Sequence, residues 1–206
     1  MSNLLLPKSN FIHIPKCAGT LIGTALWRLN LVKDKANELR YPHYGHLFAS
    51  QMPDNGKPCF AFVRNPVTWW HSFYYWNMRE GQGRFMDAER QTTSFNQWVD
   101  EYGQFWLGNY SNIVRRYLGR DPAFPTKNRV ELVGRAEEPL KDLIYFLKHL
   151  GENYDMKVAR ELITNTYNFK DEHRNIQDYN RDAVSPETRA IILKTEWYVR
   201  DFFAYQ

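Results

Sequence analysis

A chain of 206 residues, 43% hydrophobic and 24% charged, is long enough to bury a core and has too many apolar residues for a disordered protein. Its two cysteines exclude a disulfide framework, and no apolar run could span a bilayer or serve as a signal peptide. The net charge of +4 suits a small anionic ligand as well as nucleic acid, but no basic run resembles a nucleic-acid tail. We therefore expect one cytoplasmic domain over residues 1–206, with no membrane span and no nucleic-acid partner.

The first predicted unit is a strand, a tight loop and a helix between residues 11 and 29. The apolar run 11–14 favours a strand, Pro15 ends it, and apolar residues recur at helical spacing from Leu21 onward. The small-residue loop between them offers backbone N–H groups at a helix N-terminus, with Lys16 as a cation and Thr20 as a hydroxyl donor. This pattern predicts a phosphate-binding loop, and the alternative is an ordinary strand-turn-helix with a solvated lysine.

The loop differs from the usual nucleotide-binding loop. In the Gly-x-x-x-x-Gly-Lys-[Ser/Thr] pattern the lysine follows the glycines, whereas Lys16 precedes the small residues. The motifs in the rest of the chain are therefore needed to infer which anion the loop binds.

The next predicted elements are a long connection, a strand and a helix. Residues 33–57 are polar and broken by prolines and glycines, with one short helix expected near 46–52. The apolar run 59–63 predicts a buried strand of a parallel sheet. Pro66 marks the first turn of a helix that carries aromatic residues at helical spacing, namely Trp69, Trp70, Phe73 and Trp76.

The second half of the chain continues the alternation of helices and strands. In chain order it predicts a surface loop at 79–92, a helix at 95–102 capped by Ser94, a helix at 109–118 ending at Gly119, a strand at 130–133, a helix at 137–149, a polar loop at 165–184 and a last helix from Ser185 to Phe203. This alternation predicts an α/β fold with a central parallel sheet flanked by helices. In such sheets ligands bind at the carboxyl ends of the strands, where the Lys16 loop lies.

A second motif follows the predicted strand 59–63. Arg64 stands at the carboxyl end of the strand, and Ser72 lies about two turns into the following helix. A guanidinium and a hydroxyl that converge on one phosphate make chemical sense, because Arg presents a planar fork of donors. The alternative is an exposed cation and a helical serine without a ligand.

Taken together, the motifs resemble those of sulfotransferases that use 3′-phosphoadenosine 5′-phosphosulfate (PAPS). The chain is similar to the carbohydrate-sulfotransferase branch that includes the heparan sulfate 2-O-sulfotransferases, over residues 10 to 205. The motifs that carry the resemblance are Phe-Ile-His-Ile-Pro-Lys at 11–16, Tyr-Gly-His-Leu at 44–47, Phe-Val-Arg-Asn-Pro at 62–66, Val-Gly-Arg-Ala-Glu-Glu at 133–138 and an aromatic ending from Tyr198 to Tyr205. The resemblance implies the sulfotransferase variant of the P-loop-kinase-like fold, PAPS as sulfuryl donor, a carbohydrate hydroxyl as acceptor and no metal.

The resemblance also assigns roles to individual residues. His46 is the expected general base and Lys16 the expected catalytic cation, with His43 as a neighbour that assists or binds substrate. The expected PAPS-binding residues are Lys16, Cys17, Ala18, Gly19, Thr20, Leu21, Arg64, Ser72 and Arg135, with Arg174 and Asn175 as further candidates. Trp69 stands where the family often has a second arginine, and Cys17-Ala18 replaces its more usual pair.

Two other functions stay open at this point. A phosphotransferase that uses ATP or GTP is disfavoured by the order of the loop residues and by the lack of a clear magnesium-binding aspartate. A nucleotide- or glycan-binding module on the same fold, without catalysis, is the other alternative. Among the remaining histidines, His13 is expected to be a packed strand residue and His149 a partner of a helix C-terminus.

Overall fold

The computed structural model describes residues 3–34, 38–39, 46–78, 92, 94–127, 129–164 and 183–206. The chain forms two compact units. We call the first the sheet unit, Met1–Arg64 and Val114–Asn175, and the second the helical unit, Asn65–Ile113 and Ile176–Gln206. The organisation as a single domain over 1–206 stays a prediction.

The sheet unit is built on a five-stranded mixed sheet within the described residues. Its strands are β1 Asn3–Leu5, β2 Asn10–Ile12, β3 Glu38–Leu39, β4 Cys59–Val63 and β5 Val130–Arg135, in the spatial order β3-β1-β2-β4-β5. β2, β4 and β5 run parallel, whereas β1 is antiparallel to both β2 and β3. The predicted α/β class is confirmed.

The predicted central parallel sheet is a mixed sheet, because β1 runs opposite to its two neighbours. The leucine run at the start of the chain forms β1 and returns directly into β2 through a tight turn, in which the Leu6 N–H donates to the Ser9 carbonyl at 2.9 Å. Two strands joined by so short a turn must be antiparallel, because a parallel pair needs a long crossover. β3, which pairs with β1 in antiparallel fashion, was not predicted either.

The three parallel strands explain why the predicted loops meet. All five residues of β4 are buried, as expected for a strand covered on both faces. Ile12 of β2 pairs with Ala61 of β4, and Val63 of β4 pairs with Arg135 of β5. The segments that follow β2, β4 and β5 therefore leave the sheet at the same edge.

Within the described residues, three complete helices and one short 3₁₀ helix belong to the sheet unit. They are α1 Gly19–Arg28, α5 Pro139–His149, α6 Met156–Thr164 and the 3₁₀ helix Ala49–Gln51. α1 and α5 pack against each other with their apolar faces buried, which confirms the spacing seen in the sequence. The 3₁₀ helix occupies part of the short helix expected at 46–52, and α6 was not predicted.

The helical unit has an aromatic core. Its elements are α2 Pro66–Asn77, α3 Phe95–Trp106, α7 Pro186–Thr195 and α8 Trp197–Phe202, and α4 Asn109–Tyr117 contains the boundary between the units. The largest side chains of the core are fully buried, namely Trp69, Trp70, Trp98 and Tyr110. The predicted caps at Ser94 and Ser185 are confirmed, because each hydroxyl accepts a hydrogen bond of 3.1 Å from the first turn of its helix.

The predicted last helix from Ser185 to Phe203 is wrong in one respect. It breaks at Glu196, which leaves the helical conformation and separates α7 from α8. This turn directs the buried Glu196 carboxylate to three donors, the Trp70 indole N–H and the backbone N–H groups of Gly108 and Ser111, each at 2.7 Å. The three hydrogen bonds offset the lost helical turn.

The loops predicted at 79–92 and 165–184 lie outside the described residues, apart from Thr92, Ala183 and Val184. In the part of the chain that is described, no helix is long and apolar enough to cross a membrane.

Candidate anion-binding site

The loop between β2 and α1 has an unusual backbone. Lys16 and Ala18 both have positive φ angles, 65° and 60°, whereas Cys17 between them does not. The left-handed conformation is unfavourable by roughly 1–2 kcal/mol for a residue with a Cβ, so surrounding contacts must hold it in place. An alternation of backbone hand is typical of an anion-binding nest, although in this loop the Cys17 N–H donates to the Ile14 carbonyl at 3.3 Å.

The N-terminus of α1 is open to a ligand. No side chain in the described part of the chain caps it, and its first turn carries no acidic residue. The first helical hydrogen bond runs from the Ile22 N–H to the Ala18 carbonyl at 3.0 Å. The N–H groups of Gly19, Thr20 and Leu21, together with the exposed Thr20 hydroxyl, are therefore available to an anion at the positive end of the helix dipole.

Arg64 joins this loop directly. It follows β4, is half-buried, and donates from Nη1 to the Lys16 carbonyl at 3.3 Å. The structure thus brings Lys16 and Arg64 together, as their positions after adjacent parallel strands predicted. The bond also adds a function that the sequence did not indicate, because the guanidinium holds the backbone of a strained residue in place.

Arg135 ends β5 at the same edge of the sheet. Its backbone N–H donates to the Asp142 carboxylate at 2.8 Å, and its side chain is exposed. Asp142 lies in the first turn of α5, so this neighbouring helix N-terminus already carries a negative charge. A contact of the Arg135 side chain with a nucleotide stays a prediction.

His46 reaches the anion loop through a second histidine. The His46 ring packs edge-on against His13, with ring centroids 4.5 Å apart and an interplanar angle of 84°. The Nε2 edge of His13 in turn lies so close to Gly19 that a Cβ at Gly19 would overlap the imidazole ring. The order His46, His13, Gly19 therefore connects the expected base with the first residue of α1.

The buried side chain of Asn3 fixes both histidine segments. Its Oδ1 accepts from the His13 backbone N–H, and its Nδ2 donates to the Leu47 carbonyl, each at 2.8 Å. One amide side chain thus holds the end of β2 beside the segment that carries His46.

Cys17 is a buried residue of this loop. Burial raises the pKa of the nearby Tyr117 phenol above its usual range, with a smaller upward contribution from Cys17. Tyr117 packs on Phe48 with ring centroids 4.7 Å apart.

Ser72 belongs to the helical unit. It is half-buried in α2, whose N-terminus is capped by Asn65 through a 2.9 Å bond from the Val67 N–H. Its role beside Arg64 stays a prediction. His43, Arg174 and Asn175 lie outside the described residues.

His13 was predicted to be a packed strand residue; it is buried but lies directly after β2, and its contacts with Gly19 and His46 were not predicted. Asn3 was not predicted as a residue of the site. The signal for His13 was a polar residue inside an apolar strand run, one turn before a small-residue loop. Asn3 gave no signal, because its function depends on β1 lying between β2 and β3 in the sheet.

Comparisons with known proteins add no assignment to this geometry. No family model matches the chain, and a search of curated proteins finds no match. The function is therefore argued from the residues of the site.

Proposed function

We propose that this protein is a PAPS-dependent sulfotransferase, with the sulfotransferase variant of the P-loop-kinase-like fold, that transfers a sulfuryl group to a carbohydrate hydroxyl. The observation that carries the proposal is the joining of three features in one place: the nest at residues 16–18, Arg64 bound to the Lys16 carbonyl, and His46 packed beside the same loop through His13. An anion site next to an imidazole is the minimum that sulfuryl transfer to a hydroxyl requires.

The reaction assigns a separate task to each residue. His46 accepts the proton of the acceptor hydroxyl, whose oxygen forms the new bond to sulfur. The bond between sulfur and the bridging oxygen of the 5′-phosphate breaks, and its electron pair stays on that oxygen. Lys16, the loop N–H groups and Thr20 stabilise the negative charge that develops there.

The donor nucleotide also needs its 3′-phosphate to be bound. Arg64 and Ser72 are the residues proposed for this contact, and Arg135 is a further candidate for the nucleotide. Arg64 also donates to the Lys16 carbonyl. Binding of the 3′-phosphate and the conformation of the loop between β2 and α1 are therefore coupled through one guanidinium. Cys17, Ala18, Gly19 and Leu21 contribute backbone and shape to the same loop.

A transfer assay tests the activity and separates it from binding without catalysis. PAPS labelled in its sulfate is incubated with a panel of glycans that differ in their free hydroxyls, and labelled product is counted for wild type and His46→Ala. We expect transfer to at least one glycan by wild type, and a loss of about 10²–10⁴-fold in His46→Ala with donor binding retained. Donor binding without transfer to any glycan would favour the binding module, and near-full turnover by His46→Ala would exclude His46 as the base.

A further inference from the structure

The ring of His13 is enclosed by residues on three sides. It is buried, stacks on Phe11 with centroids 6.0 Å apart, meets His46 edge-on and covers Gly19. His13 lies directly after β2, so its backbone is fixed by the sheet, and Asn3 bonds its N–H. An imidazole held in this way has little freedom to rotate or retreat.

Gly19 is suited to this contact for a steric reason. Its φ angle is not in the left-handed region, so an alanine would be compatible with its backbone. What excludes a larger residue is the His13 ring, because a Cβ at this position would overlap Nε2 and Cδ2. Since His13 is packed between Phe11 and His46, any residue that pushed it would also displace the His46 ring.

From this geometry we propose that His13 is the positioning residue of the active site, a rigid spacer that sets His46 relative to the anion loop. The inference rests on the proposed function. In-line transfer requires the base, the acceptor oxygen and the leaving phosphate to keep fixed separations, and a misplacement of about 1 Å can lower a rate by roughly 10²-fold. His13 contacts both the base and the first residue of the helix that holds the leaving group, and it acts through them rather than on the substrate.

The spacer function makes two predictions about substitutions at His13. His13→Ala removes the ring and should lower kcat by about tenfold to 10²-fold, with little change in the KM for PAPS, because the anion loop itself is intact. His13→Phe keeps a flat ring of similar size between Phe11 and His46 and should retain most of kcat. A His13→Phe variant as slow as His13→Ala would overturn the proposal, because it would show that the nitrogens act and not the packing.

Gly19→Ala provides the second half of the experiment. Alone it should lower kcat, because the new methyl group displaces His13 and with it His46. In the His13→Ala background the space is vacant, so the double variant should be no slower than His13→Ala alone. Independent effects that multiply would overturn the proposal, since they would place the defect of Gly19→Ala at the ligand and not at His13.

A spectroscopic measurement separates failure of this inference from failure of the proposed function. The NMR signals of the His46 ring, assigned with His46→Gln, report its surroundings whether or not the protein transfers sulfate. We expect Gly19→Ala to shift them strongly in wild type and weakly in the His13→Ala background. Equal shifts in both backgrounds would contradict the spacer, whereas the expected shifts without any sulfate transfer would leave the spacer standing and reject the sulfotransferase.

Discussion

The N-termini of α1 and α4 differ in what faces their unpaired N–H groups and the positive end of the helix dipole. In the helical unit, the N-terminal region of α4 is occupied by an anion from the chain itself, because the Glu196 carboxylate accepts from the N–H groups of Gly108 and Ser111. In the sheet unit, no side chain of the described residues caps α1, and no acidic residue stands in its first turn. The first arrangement stabilises the fold, and the second leaves a place for an external anion.

The other strand-to-helix junctions support the same distinction. α2 is capped by Asn65, and the first turn of α5 contains Asp142. Of the three helices that follow β2, β4 and β5, α1 is the one that has neither a side-chain cap nor an acidic residue in its first turn. Two kinds of substitution test this difference: those that place a carboxylate at the N-terminus of α1, and those that remove the side chain bound at the N-terminus of α2 or α4.

The largest expected effect is on stability, at Glu196. Glu196→Ala removes the acceptor of three hydrogen bonds, two of them buried, so the Trp70 indole and two backbone N–H groups lose their partner. We expect the free energy of unfolding to fall by about 4 kcal/mol, measured by urea denaturation. Glu196→Gln keeps one acceptor oxygen, so its free energy of unfolding should fall by less. Equal losses of stability in the two variants would contradict the role of the hydrogen bonds.

The next effect is catalytic and concerns Lys16. Lys16→Ala removes the cation from the open end of α1 and should lower kcat by about 10²–10³-fold, with a smaller change in affinity for adenosine 3′,5′-bisphosphate. Steady-state sulfate transfer measures the first and calorimetry the second. Lys157→Ala, an exposed lysine on α6, is the control and should behave as wild type. A pure loss of affinity in Lys16→Ala would count against its role in the transition state.

Arg64 should have a smaller effect, on binding. Arg64→Ala should weaken the binding of adenosine 3′,5′-bisphosphate by roughly 1.5–3 kcal/mol, the range for a hydrogen bond to a charged group. Arg64→Lys keeps the charge and loses the planar fork, so it should recover part of the affinity. Arg160→Ala removes an exposed arginine of α6 as a control. Unchanged affinity in Arg64→Ala would remove Arg64 from the site.

The cap of α2 predicts an effect on stability without an effect on binding. Asn65→Ala should lower the free energy of unfolding by about 1 kcal/mol, because the Val67 N–H loses its acceptor. Asn65→Asp retains an acceptor and should stay near wild type in thermal denaturation. If Asn65→Ala left stability unchanged, Asn65 would not be a stabilising cap of α2.

The smallest effect has opposite signs in stability and binding. Thr20→Asp places a carboxylate in the first turn of α1, which imitates what Glu196 does for α4. It should raise the free energy of unfolding by about 0.3–1 kcal/mol and weaken the binding of adenosine 3′,5′-bisphosphate. Thr20→Asn tests the charge with similar size. A Thr20→Asp variant that bound the nucleotide as tightly as wild type would show that no anion occupies this end.

Local patterns in the sequence predicted most elements of the fold, because each depends on neighbouring residues. The run at 59–63 and Pro66 were enough to place β4 and the start of α2. The strands β1 and β3 were missed, since a two- or three-residue strand is defined by its partner and not by its own pattern. The break at Glu196 was missed for a related reason, because its three hydrogen-bond donors lie about 85 to 126 residues away along the chain.

In the candidate site, too, the features set by local sequence were predicted and those set by distant contacts were not. Lys16 and Arg64 could be predicted because each follows a recognisable strand, and parallel strands bring such positions to one edge. The contacts among His13, Gly19 and His46 could not, since they depend on how a long connection returns to the sheet through the Asn3 side chain.

The central claim is that the open N-terminus of α1 holds the 5′-phosphate end of the sulfuryl donor. Calorimetric titration of adenosine 3′,5′-bisphosphate, with ATP and adenosine 5′-monophosphate titrated in parallel, tests it most directly. We predict saturable binding of the bisphosphate at one site, much weaker binding of the other two nucleotides, and weakened bisphosphate binding in Thr20→Asp. No binding of the bisphosphate, or a preference for ATP, would contradict the account.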